Sequence, residues 1–200
     1  MMLPPVETLL AMGSFALAGS ATPGPVNIIG AMTGTRHGTL RALPFVTGAT
    51  VSFLALLLIC GTGMLAQAGP VLLVARPMTL LGSAYLLWMA WGLARSDGAI
   101  GAADRRGIPG FWSGVMVQGL NPKAWLVVLS ALSTFILPLG DPRAGLVTFV
   151  LLSGLICWPS LALWAWVGSR IPQRAMRLFN RAMALALLIS VGWIVWQALA

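Results

Sequence analysis

The strongest constraint on this chain is a series of six apolar runs, at about residues 7–33, 43–66, 70–94, 111–137, 144–167 and 182–199, separated by short clusters that hold nearly all of its charge. Each run is roughly 18 to 25 residues long, the length an α-helix needs to cross about 30 Å of hydrocarbon. With 58% hydrophobic and 8% charged residues and a mean hydropathy of +0.92, a water-exposed domain does not account for the composition. The expected fold class is therefore all-α: a polytopic membrane protein of six transmembrane helices, forming one transmembrane transporter domain over 1–200. Arg76-Pro77 interrupts the third run, so residues 69–76 either belong to its helix or lie at the membrane interface.

The net charge of +8 invites a nucleic-acid reading, but the basic residues fall between membrane segments, where they set orientation. With six crossings, one side receives Arg36, Arg41, Arg95, Arg105, Arg106, Arg170, Arg174, Arg177 and Arg181, and the other Arg76 and Arg143. Nine against two places the first group in the cytoplasm and both termini outside. Arg170, Arg174, Arg177 and Arg181 recur at helical spacing and are expected to form an interfacial stripe facing anionic lipid headgroups. Apolar residues 9–18, followed by small residues, allow a signal peptide, but Glu7 stands where a basic segment belongs, so the helix is expected to stay. Cys60 and Cys157 lie inside apolar runs as small hydrophobes, and with a single histidine they compose neither a metal site nor an expected disulfide. No cofactor is indicated.

Two runs carry internal breaks: Thr22-Pro23-Gly24-Pro25 in the first and Asn121-Pro122-Lys123 in the fourth. Proline removes a backbone donor and clashes with the preceding turn, so each break divides its helix within the bilayer. Three crossings per half force the second half to enter from the opposite side, the condition for an inverted repeat. Repeat 1 covers about 1–95, a Gly- and Arg-rich cytoplasmic linker 96–110, and repeat 2 about 111–200. Pro25 and Pro122 are 97 positions apart, and the same offset aligns Ile59-Cys60 with Ile156-Cys157 and Gly48 with Gly145. Gly30, Gly34 and Gly38 form a small-xxx-small series suited to close helix packing.

Pro25 and Pro122 suit the first position of a new half-helix, with Gly24 supplying an unusual backbone angle and Asn121 an N-cap. Two such half-helices starting near the midplane would aim unpaired N–H groups at one centre, a setting for an anion. Lys123 lies roughly 18 Å from the nearer membrane face at 1.5 Å per residue, too deep to snorkel out easily. No carboxylate in the other five runs is placed to neutralise it, so the missing partner could be the substrate. A small amino acid fits, its carboxylate held by Thr22, Pro23, Gly24, Pro25, Asn121, Pro122 and Lys123 and its amino group meeting Asn27, Gln118, unwound carbonyls or the faces of Trp125 and Trp158. The alternatives are proline kinks without a ligand, Lys123 bonded to broken-helix carbonyls as structural glue, and tryptophans that only pack. Trp88, Trp91, Trp164, Trp166, Trp193 and Trp196 read as interfacial belt residues.

At these positions the chain resembles the lysine exporter (LysE/RhtB-type) family of bacterial amino-acid efflux proteins. The motifs are Thr22-Pro23-Gly24-Pro25 followed by Asn27, Arg36-His37-Gly38, Gly82-Ser83-Ala84-Tyr85-Leu86 and Leu120-Asn121-Pro122-Lys123-Ala124. Val26 and Gln118 depart from the usual pattern, which bears on the substrate more than on the fold. The resemblance implies efflux of an amino acid across the bacterial inner membrane, coupled to the proton motive force, often as a homodimer. With no acidic partner in the membrane beyond Glu7, a neutral or small polar amino acid is expected rather than lysine or arginine. An enzyme is disfavoured because no nucleophile and base, paired carboxylates or metal ligands share a run. A passive channel or uncoupled assembly subunit is the other reading left open.

Overall fold

The computed structural model describes residues 3–66, isolated positions between 84 and 95, and residues 107–199. Most of the third run, with Arg76, Pro77 and the Gly82–Leu86 motif except Ala84, and most of the 96–110 linker lie outside the described residues. Among the described residues the structure is helical, with no strand. The helices are α1 (Val6–Ala21), α2 (Pro25–His37), α3 (Thr39–Leu65), α4 (Phe111–Gly119), α5 (Pro122–Ala131), α6 (Pro142–Arg170) and α7 (Met176–Leu199). α5 continues through a π-helical turn, Leu132–Ile136. α3 and α6 are each long and apolar enough to cross a membrane, and α4 with α5 make a third crossing if the bent pair is one span.

Proline chemistry sets three of these boundaries. The residue before a proline is driven out of the helical region, and Thr22 (ψ 142) and Gly24 (ψ 176) are both extended, so α1 stops and α2 restarts with Pro25 at its first position. Asn121 (ψ 111) does the same before Pro122, and the axis bends by 65° between α4 and α5. Ile171 (ψ 119), before Pro172, ends α6 at Arg170. That last stop divides the four arginines of the expected stripe among three elements: Arg170 closes α6, Arg174 lies in a 3₁₀ turn, and Arg177 and Arg181 open α7. The Arg170 guanidinium instead stacks 5.2 Å from the Trp166 ring. α7 also begins at Met176, six positions before the expected 182.

α2 packs along α6, α4 along α3, and α1 along α6. Glycine makes two of these crossings possible. A Cβ at Gly34 would collide with the Ala165 carbonyl and one at Gly168 with the Ala31 carbonyl; Gly48 and Gly114 play the same part against Phe111 and Phe45. Gly30 shares the α6-facing side, where an added Cβ would lie 4.0 Å from the Leu161 carbonyl oxygen. Gly38 does not extend that series: at φ 83 it is the left-handed joint between α2 and α3, a conformation glycine adopts without penalty. Thr39 Oγ1 donates to Ser169 Oγ at 3.0 Å, and Gly107 and Pro109 share a cavity wall with Arg36 and His37. The arginine-bearing α2–α3 and α6–α7 turns and the start of the 107–110 segment thus lie at one end of the molecule.

The core is apolar, centred on Phe45, Leu57, Leu132, Ile136 and Phe149, all fully buried. The outward faces of α3, α6 and α7 are equally apolar, with Ile59, Leu151, Leu155 and Ile189 exposed. Water would penalise such a surface, whereas hydrocarbon accepts it. Trp88, Trp91, Trp166 and Trp196 are exposed, as belt residues must be.

Candidate functional site

A helix broken inside a membrane frees carbonyls that no water can reach, so each needs an internal partner. At the end of α1 partners come from Thr22 itself and from side chains of three other helices. The Ala18 carbonyl takes Thr22 N–H and Thr22 Oγ1 (2.7 Å). Ser20 O accepts from Asn27 Nδ2 on α2 at 2.7 Å, and Ala21 O from Trp164 Nε1 on α6 at 3.1 Å. Thr22 O and Thr22 Oγ1 both accept from the Lys123 ammonium on α5 at 2.7 Å, with Pro23 O at 3.4 Å.

The second break is closed in a related way. Asn121 Oδ1 caps α5 by accepting Lys123 N–H at 3.1 Å, while Asn121 Nδ2 donates to Gln118 Oε1 at 2.9 Å. Trp125 Nε1 reaches back six residues to Gly119 O at 2.8 Å, as Asn27 reaches back seven to Ser20. Lys123 therefore joins the two breaks across the protein. Asn121 presents its side chain at the start of α5, whereas α2 begins at Gly24 with no side-chain cap.

Between the breaks lies a cavity of about 30 Å³, walled by Asn27, Gln118, Asn121 and Lys123 together with Gly19, Ser20, Val26, Phe53, Ala124, Val127, Cys157 and Leu161. That is room for one or two waters, a volume smaller than an amino acid. Asn27, Gln118 and Asn121 are each buried. No carboxylate ion-pairs with Lys123 among the described residues; Glu7, fifteen positions before Thr22 on α1, is about 22 Å away along the helix axis.

Several expected site residues fall together and others do not. Thr22 and Pro23 hold the Lys123 ammonium, a Cβ on Gly24 would lie 3.3 Å from the Lys123 side chain, and Pro25 and Pro122 start the two half-helices that face the cavity. Trp125 and Trp158, expected to face the substrate, are not in the wall of this cavity: Trp125 Nε1 donates to Gly119 O, and Trp158 Nε1 to Thr47 Oγ1 at 3.1 Å on a partly exposed face. Trp164, expected in the interfacial belt, turns inward to the end of α1. Cys157, expected to be a plain core residue, lines the cavity with its thiol beside the hydroxyls of Ser20 and Thr50. Ser153, Cys157 and Leu161 recur every four residues, one helical face of small side chains within an apolar run. That periodicity was the available signal for the wall; only the phase of α6 distinguishes Cys157 from its neighbour Trp158.

Two broken helices joined by a half-buried lysine over a cavity at their junction form an arrangement characteristic of secondary transporters. The model of the LysE type translocator family matches residues 17–197, a stretch that holds both breaks. The chain belongs to the LysE type translocator family. Among curated relatives of this LysE type translocator, the cysteine/O-acetylserine efflux protein of Klebsiella pneumoniae subsp. pneumoniae is 32% identical over 168 residues, covering 84% of this chain and 85% of that protein. Its counterpart in Salmonella typhimurium is 32% identical over 184 residues, 90% of this chain and 91% of that protein. That of Escherichia coli O1:K1 is 29% identical over 181 residues. No solved structure matches the chain. As a LysE type translocator, it is a multi-pass membrane protein whose family moves cargo rather than transforming it.

Proposed function

We propose that this protein exports a small neutral amino acid or derivative, of the cysteine or O-acetylserine kind, from the cytoplasm as a secondary transporter driven by the proton motive force. The observation that carries this reading is the half-buried Lys123 ammonium, set between the two breaks with backbone carbonyls and a hydroxyl as its close partners among the described residues. An ammonium in that setting holds α1 and α5 together, and a substrate carboxylate is a stronger acceptor than the neutral oxygens it would displace. Loading would then release the α1 end, and one half would rock against the other around the broken helices. The expected substrate site is Thr22, Pro23, Gly24, Pro25, Asn27, Gln118, Asn121, Pro122 and Lys123.

The inverted repeat belongs to the same proposal: three crossings in 1–95 and three in 111–200, joined by the 96–110 linker. The pairing of α1 with α6 and of α4 with α3 supports it, because the two pairs exchange under the 97-residue offset. The cluster of arginine turns at one end supports an inner-membrane orientation with that end cytoplasmic, both termini outside, and anionic lipid at Arg170, Arg174, Arg177 and Arg181. A homodimer is part of the reading by family resemblance alone. The small cavity volume favours a gated carrier over a permanently open pore. The deciding experiment is uptake of labelled O-acetylserine into inside-out vesicles. Accumulation above the external concentration, abolished by a protonophore, is expected; equilibration that ignores the protonophore contradicts coupling, and preferred transport of lysine contradicts the substrate class.

A further inference from the structure

The cavity wall contains two small polar side chains that the carboxylate-binding reading leaves unused, Ser20 and Cys157, with Thr50 next to the thiol. Ser20 comes from α1, Thr50 from α3 and Cys157 from α6, and the thiol lies beside both hydroxyls. Thr50 Oγ1 already donates to Val46 O at 3.0 Å, so it offers only lone pairs to the thiol. The Ser20 O–H and the Cys157 S–H are the donors left in this wall.

Two nearly buried amides point to a ligand in the same cavity. Lys123 N–H requires an acceptor, which makes the Asn121 atom facing it Oδ1; Asn121 Nδ2 must then donate, so Gln118 presents Oε1 to it. Gln118 Nε2 is left without a partner among the described residues, on a side chain 7% exposed that lines the cavity. Asn27 spends its Nδ2 on Ser20 O, and its Oδ1 is likewise unpaired among the described residues on a side chain 5% exposed. An uncommitted donor and an uncommitted acceptor in one small cavity call for a ligand bearing both kinds of group, or for the waters that stand in for it.

We propose that Cys157, Ser20 and Thr50 form the side-chain subsite of the transporter, selecting substrates with a short, uncharged side chain that carries a hydroxyl, thiol or ester oxygen. The inference rests on the reading of this cavity as the substrate site. Ser20 and Cys157 put small side chains in the wall, and Phe53 and Leu161 bound the space, so length is limited. A branched hydrocarbon side chain strands the Ser20 hydroxyl against carbon, and a basic one finds no carboxylate among the described residues. An acidic side chain competes with the substrate's own carboxylate for Lys123.

The test uses the full chain in inside-out vesicles with labelled O-acetylserine and leucine. Cys157→Ala, which enlarges the wall and removes the sulfur, is expected to shift the O-acetylserine-to-leucine transport ratio toward leucine by about tenfold, and Thr50→Val to shift it the same way. A ratio unchanged in both variants overturns the proposal. An independent reading comes from Cys60→Ala, in which Cys157 is the single remaining cysteine. Saturating O-acetylserine is expected to slow its modification by a small cationic methanethiosulfonate about tenfold, while lysine leaves the rate unchanged; equal rates with and without O-acetylserine, in vesicles that transport it, overturn the subsite while leaving the exporter intact. If wild-type vesicles transport neither amino acid, the exporter reading fails and the subsite with it.

Discussion

Alanine at Gly34 and alanine at Gly30 are the same chemical change on the same helix, one turn apart, and they should move stability in opposite directions. Replacing glycine in a helix interior by alanine normally stabilises by about 0.5–1 kcal/mol, because the unfolded chain has less freedom to lose. At Gly30 the nearest described atom to an added Cβ is the Leu161 carbonyl oxygen at 4.0 Å, an ordinary contact, so that gain should survive. At Gly34 the added carbon collides with the backbone of Ala165, which cannot rotate away as a side chain could. Overpacking of this kind costs about 1–3 kcal/mol. Parting the helices also stretches the 2.8 Å bond from Thr35 Oγ1 to Gly168 O, worth about 0.6 kcal/mol in a membrane protein. The net expectation for Gly34→Ala is a loss of about 1–3 kcal/mol after the propensity gain is subtracted. Titration of purified protein with a denaturing detergent, followed by loss of helical signal, reads both variants. Two shifts of the same sign and size would refute the claim that backbone contact sets the α2–α6 crossing. The functional corollary is that Gly34→Ala moves the helix carrying Asn27 and should depress transport more than Gly30→Ala does.

Three further changes probe the closure of the breaks. Asn121→Ala removes the cap on Lys123 N–H and the grip on Gln118, and should cost about 1–2 kcal/mol in the same titration. Trp164→Phe removes the bond to the Ala21 carbonyl and should cost about 0.5–1.5 kcal/mol, whereas a change at an exposed belt tryptophan such as Trp196 should fall within experimental error. Ser153 Oγ is buried with no partner among the described residues, so Ser153→Ala should be neutral or stabilising by about 1 kcal/mol, and a clear destabilisation would reveal an unrecognised bond.

The positions of the breaks were legible because proline acts through local sterics: Thr22, Gly24 and Asn121 each precede a proline and each leave the helical region. The same rule acts at Ile171, where the regular spacing of Arg170, Arg174, Arg177 and Arg181 concealed a helix end that Pro172 imposes. The partners of Lys123 were harder to see. Backbone acceptors freed by a break have no sequence signature, so a search among side chains finds no counter-charge, although Thr22 and Pro23 lie within the motif itself. Which tryptophan serves the site was decided by helical phase. One residue of rotation exchanges Cys157 for Trp158, and apolar runs whose outer faces are as hydrophobic as their inner ones give little amphipathic signal to fix that phase. Gly38 continued a four-residue glycine spacing, yet its left-handed φ depends on the reversal between α2 and α3.

The central claim is that Lys123 exchanges its carbonyl partners for the carboxylate of the substrate. The direct measurement compares binding of O-acetylserine with that of its decarboxylated amine, in wild type and in Lys123→Met. Wild type should prefer the amino acid by about 2–5 kcal/mol, the cost of removing one partner from a buried charge pair, and the preference should vanish in Lys123→Met. A preference that persists undiminished in the variant would show that the ammonium does no more than hold the broken ends of α1 and α5 together.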